Sequence, residues 1–125
     1  MVKSVISVIV ATVLIAFGAV YENLALKNTF GQMILCTDEL TLKLEDETCT
    51  VDDILSLQTL WIRKKEGLHV YIPHAEIKEL DLWIAECVSY VKFKKYDEAI
   101  SKLTVVKELC EQIPKTFSIR FENLF

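Results

Sequence analysis

The sequence predicts an all-α protein, in which an N-terminal transmembrane helix continues into an antiparallel bundle of about four helices with a C-terminal hairpin and a docked tail. Three observations predict it. Residues 4–21 hold no charged side chain and are mostly Val, Ile, Ala, Leu and Phe. From Leu26 to Leu44 the apolar positions recur at heptad-like steps. Only three Gly and two Pro occur in 125 residues that are 52% hydrophobic, which excludes a disordered chain, a linker or a collagen-like repeat.

The mass of 14.3 kDa fits one folded domain beside the apolar segment, giving an anchor over residues 1–21 and a helical domain over 22–125. A formal charge of −4 and a pI near 5.2 argue against a nucleic-acid partner, which would call for a basic face. Mean hydropathy is +0.32, high for a chain that is 26% charged, so the apolar residues are concentrated.

Eighteen helical residues rise roughly 27 Å, close to the apolar thickness of a bilayer. Val5, Ile9, Val13 and Phe17 are representative lipid-facing positions of that span, and Tyr21 stands where an interfacial aromatic is useful. A cleavable signal peptide is the competing reading, with Lys3, an apolar core and Ala16-Phe17-Gly18 as its cleavage pattern. The charged segment after Tyr21 continues the helical pattern without a break, which favours an uncleaved anchor. Lys3 before the span and Glu22 after it orient the chain with its N-terminus in the cytoplasm and its domain outside.

The first domain helix carries Leu26, Phe30, Met33, Thr37, Leu40 and Leu44 on one face, with a bend allowed at Gly31. It ends near Leu44 or Asp46, because the acidic run Glu45-Asp46-Glu47 opposes a helix C-terminus. Thr50 and Asp53 form a capping-box pattern that opens the second helix. Its predicted face is Ile54, Leu55, Gln58, Trp61 and Ile62, and Gly67 can terminate it. Residues 68–72 alternate like a strand but lack a sheet, so they read as a helical extension or an extended connector.

Pro73 suits the start of a third helix, which buries Ile77, Leu80, Ile84, Cys87, Val88 and Val91 with Trp83 alongside. The fourth opens near Asp97, runs through Ala99, Ile100, Leu103, Val106, Cys110 and Ile113, and stops at Pro114. The short link makes these two helices antiparallel neighbours. Residues 117–125 hold three Phe, among them Phe121 and Phe125, and a free tail of that composition would be sticky, so it is expected to lie back on the bundle.

Tyr96-Asp97-Glu98-Ala99-Ile100 looks superficially like part of a tetratricopeptide hairpin, but one such unit stands where a solenoid needs about three. Nearly the whole chain resembles something else. The N-terminal anchor, Trp61, the run Pro73-His74-Ala75-Glu76-Ile77, the hairpin and the ending Phe121-Glu122-Asn123-Leu124-Phe125 together resemble a family of small membrane-anchored bacterial proteins from Gram-positive anaerobes, the domain of unknown function numbered 4363. That resemblance implies no assigned activity. Relatives often read His-Glu-Glu where this chain has His74-Ala75-Glu76.

Candidate chemistry is sparse. His74 and Glu76 could join a metal or acid–base site, but a role at the opening of the third helix explains them as well. Cys36, Cys49, Cys87 and Cys110 allow three disulfide pairings, yet without Cys-x-x-Cys spacing, and with Cys87 and Cys110 on apolar stripes, they read as free core thiols. No phosphate loop, nucleophile elbow or paired-carboxylate motif occurs, so neither catalysis nor a cofactor is expected. The short basic runs at 63–65 and 92–95 sit where solvated helix ends belong. The reading is a membrane-tethered structural or interaction protein of the cell envelope. Its expected partners are the bilayer, an unidentified membrane or envelope protein, and a second copy in a homo-oligomer. Trp61, Trp83, Phe121 and Phe125 are its core or contact residues. The alternative is an extracytoplasmic module that holds a small ligand or metal through Tyr71, His74 and Glu76.

Overall fold

In a computed structural model, residues 1–68 and 72–124 are described, with side chains for all of these except Glu22, Asn23 and 117–124. Four helices follow one another: α1 (Val2–Glu45), α2 (Val51–Leu68), α3 (His74–Lys92) and α4 (Tyr96–Leu124). Each packs on the next, and α1 also packs on α4 to close the ring. Among the described residues α1 does not approach α3, and α2 does not approach α4. Short links therefore fold the chain up, down, up and down around one square core.

The seam on α1 forms as its spacing requires. Leu26, Phe30, Met33, Thr37, Leu40 and Leu44 are all buried. Thr37 is tolerated there because its hydroxyl donates to the Ile34 carbonyl at 2.7 Å, so no polar hydrogen is stranded. Gly31 does not interrupt the helix.

The end of α1 is set by backbone geometry. Glu47 adopts a left-handed φ of 57°, the Thr48 N–H donates to the Lys43 carbonyl at 2.8 Å, and the Glu47 N–H donates to that of Leu44 at 3.1 Å. The same motif closes α3, with Lys94 at φ 58°, Lys95 N–H on the Tyr90 carbonyl and Lys94 N–H on that of Val91. Both are Schellman caps with a side chain where glycine is usual. Left-handed backbone strains a residue that carries a Cβ. Replacing Glu47 or Lys94 by Gly is therefore expected to raise stability by up to about 1 kcal/mol, read from urea denaturation, despite glycine's larger unfolded-state entropy.

The capping box of α2 is present in both directions. The Thr50 N–H donates to Asp53 Oδ2 at 3.0 Å, and the Asp53 N–H donates to the Thr50 hydroxyl oxygen at 3.2 Å. The Thr50 amide, with the Lys43 ammonium at 3.2 Å, holds the Asp53 carboxyl below its usual range.

Two parts of the sequence reading are corrected. The core face of α2 is Ile54, Leu57, Trp61 and Leu68, whereas Ile62 is exposed and Leu55 only partly covered. Leu55 and Ile62 each follow a buried residue by one position, about 100° around the helix, which turns them off the seam. Pro114 does not stop α4, which runs on to Leu124. The missing N–H costs one intrahelical bond, to the Cys110 carbonyl, while helix-compatible residues lie on both sides of it. The expected docking of Phe121, Phe125 and the rest of the tail lies outside the described side chains, as does Tyr71.

The core faces of α3 and α4 agree with their stripes. Ile77, Leu80, Ile84, Cys87, Val88 and Val91 meet Ala99, Leu103, Val106, Cys110 and Ile113, while Ile100 and Trp83 are partly buried against them.

Candidate functional site

Residues 4–18 and Val20 of α1 are exposed, although nearly all are apolar. Val5, Ile9, Val13 and Phe17 lie 47–71% exposed. The helix passes position 21 without a break, and among the described side chains the first buried one is Leu26. By length and composition this helix can cross a membrane, a test that a signal sequence also passes.

The polar groups of the bundle are drawn into pairs between helices. Trp61, buried on α2, donates its Nε1–H to Asp81 Oδ1 on α3 at 2.6 Å, and Lys65 Nζ reaches the same carboxylate at 3.2 and 3.3 Å. The Trp61 ring also packs, tilted, on Phe30 with centroids 6.4 Å apart. One tryptophan thereby links α1, α2 and α3. On the neighbouring helix pair, Lys102 stands 4.7 Å over the Trp83 ring and 3.4 Å from Glu86 Oε2. That carboxylate oxygen gains charge attraction there without hydrogen-bond geometry. Lys107 of α4 meets Asp38 of α1 at 2.7 Å, and the carboxylate raises the ammonium above its usual range. Nothing local in the sequence marks Asp81, Lys102 or Asp38. Each lies on a half-polar helix face, and its partner is distant along the chain.

All four cysteines are free thiols. Burial pushes Cys87 and Cys110 up to about 12, with Glu86 and Glu111 adding a smaller push in the same direction. At neutral pH burial therefore keeps both thiols protonated. Cys49 is buried as well, but Cys36 is only half-buried, a departure from the core-thiol expectation.

His74 and Glu76 occupy the first turn of α3. The N-cap is Pro73, without a side-chain cap bond. Positions two apart point away from each other on a helix, so the pair is not gathered onto one face. Glu76 is suitably placed for the positive end of the helix dipole. A surface hollow of about 280 Å³ lies instead between α1 and α2, lined by Gln32, Leu60, Arg63 and Lys64. Among the described residues, no three His, Cys, Asp or Glu side chains come together as a metal ion would need.

No curated protein and no solved structure matches the chain. The family model described as Domain of unknown function (DUF4363) matches residues 20–124, from the upper end of the apolar length through all four bundle segments. An exposed apolar lead helix merging into a closed four-helix ring accords with where that match begins. With the match covering most of its length, the chain belongs to the DUF4363 family.

Proposed function

We propose that the protein is a single-pass, membrane-tethered scaffold with its N-terminus in the cytoplasm and its helical domain outside, serving a membrane or envelope partner without catalysing a reaction. The observation that carries this reading is the unbroken course of α1 from its exposed apolar length into the buried seam. Tyr21 and Leu26 are only five positions apart, roughly 7.5 Å of helix. A tether of that kind holds the bundle against the bilayer surface at a fixed distance, which a flexible linker would not do. Lys3 before the span supports the orientation, since cations favour the cytoplasmic side. Protonated core thiols and carboxylates held in ion pairs support a presenting role over a catalytic one.

The test is a topology assay on the full chain. A reporter fused after Phe125 is expected to be active outside the cell and silent inside, and the fusion is expected to float with membranes after alkaline extraction. A reporter active only inside reverses the orientation. Release of a shortened, soluble product identifies the apolar segment as a cleaved signal and removes the tether.

A further inference from the structure

The face of α1 that turns away from the bundle has a second heptad pattern, opposite the buried seam. Leu24 and Asn28 precede buried Leu26 and Phe30 by two positions, and Leu35 and Leu42 follow buried Met33 and Leu40 by two. Two positions are about 200° around a helix, so these residues lie on the far side from the core. Leu24, Leu35 and Leu42 are 61–66% exposed. The stripe continues downward through Tyr21 and Phe17, at 73% and 71% exposure, into the apolar length. Phe17, Tyr21, Leu24, Asn28, Leu35 and Leu42 all fall on the a and d positions of one heptad frame. Gly31 and Asp38 complete that frame, the latter already tied to Lys107. At Gly31 an added Cβ would meet nothing, so the stripe is open there too.

Isolated exposed leucines need no explanation, but large apolar side chains at five of the eight a and d positions across almost four heptads do. We infer that this outer face of α1 pairs with the same face of a second copy, as a parallel two-stranded coiled coil. The occupant follows from where the stripe runs. Lipid covers only its lower end, and a soluble partner covers only its upper end. A second chain crossing the same membrane in the same direction covers both, with every position facing its own counterpart. This assignment rests on the tethered reading for the portion below Leu24. Covering the five large apolar side chains of both copies buries on the order of 1,000 Å² in all, taken from lipid at Phe17 and Tyr21 and from water at Leu24, Leu35 and Leu42, near the lower edge of specific interfaces. A polar Asn at one a position is the device that fixes register and favours two strands, and Asn28 sits at such a position.

The experiment uses the full chain with Cys36 replaced by Ser, carrying Leu35→Cys, Leu42→Cys or, on the exposed face of α3, Lys78→Cys. After oxidation in isolated membranes, the first two are expected to give disulfide-linked dimers at least tenfold more readily than the third, because a parallel pair sets each a position against itself. In detergent, light scattering is expected to give twice the 14.3 kDa chain mass. The double variant Leu35→Glu, Leu42→Glu is expected to give one chain mass with an unchanged thermal melt, since neither side chain belongs to the core. Equal cross-linking at all three positions, or none at 35 and 42, overturns the pairing. Flotation separates the two readings: a chain that floats but stays single loses the pairing and keeps the tether. A chain that pairs but does not float keeps the pairing and loses the tether.

Discussion

Replacing Trp61 by Ala in residues 22–125 is expected to lower stability by about 3–5 kcal/mol, the range for removing a buried tryptophan. The side chain is 1% exposed, stacks obliquely on Phe30, and donates its indole hydrogen to Asp81. Its loss leaves a cavity where three helices meet and leaves Asp81 with Lys65 alone. Trp61→Phe retains most of the apolar area but drops the hydrogen bond to a charged acceptor, and is expected to cost about 1.5–3 kcal/mol. Trp83→Ala is expected to cost less than Trp61→Ala, because Trp83 is only partly buried beneath Lys102. Urea denaturation monitored by circular dichroism measures all three. A Trp61→Ala domain that melts within a degree of the parent would remove Trp61 from the centre of the packing.

Cutting the chain at two places is expected to have opposite consequences. Residues 22–125 should unfold cooperatively, whereas residues 46–125 should show no cooperative transition. The first cut removes side chains that the bundle does not bury, and the second removes Leu26, Phe30, Met33, Leu40 and Leu44. Burial of each is worth roughly 1.5–3 kcal/mol, so the five together are on the order of 10 kcal/mol, comparable with the whole stability of a small domain. Their loss also uncovers the faces of α2 and α4 that they cover. A sharp melting transition for residues 46–125 would show that α1 decorates a self-sufficient three-helix unit.

The two experiments probe features of different legibility. The seam of α1 could be read in advance because a heptad step is a property of one helix, and all six named positions are buried. The Thr50–Asp53 box was equally legible, since its two bonds span three residues and need no partner from elsewhere. The stripes of α3 and α4, and the link that makes them neighbours, belong to the same class.

Local pattern failed where two alternatives had similar local cost. On α2 the apolar residues Leu55, Leu57 and Ile62 span a wide arc, and only the positions of α1 and α3 determine that Leu57 turns inward and Ile62 outward. Pro114 weakens one turn, but continuation of α4 beyond it depends on the whole helix. Neither Glu47 nor Lys94 advertises a left-handed cap as glycine would, and the links they serve set their backbone. His74 and Glu76 were legible as the opening of a helix, while the absence of a side-chain cap follows from Pro73 taking that place.

By itself, the sequence determined the helical class, the exposed apolar length of α1, and the inward faces of α1, α3 and α4. These follow from composition and from a 3.6-residue period that any isolated segment carries. Only the tertiary structure decided which polar residues meet. Trp61 and Asp81 are twenty positions apart, and Asp38 and Lys107 lie on helices at opposite ends of the domain sequence. Such pairs depend on how four helices rotate and slide against one another, and those degrees of freedom are settled by the packing of the assembled core rather than by any single helix.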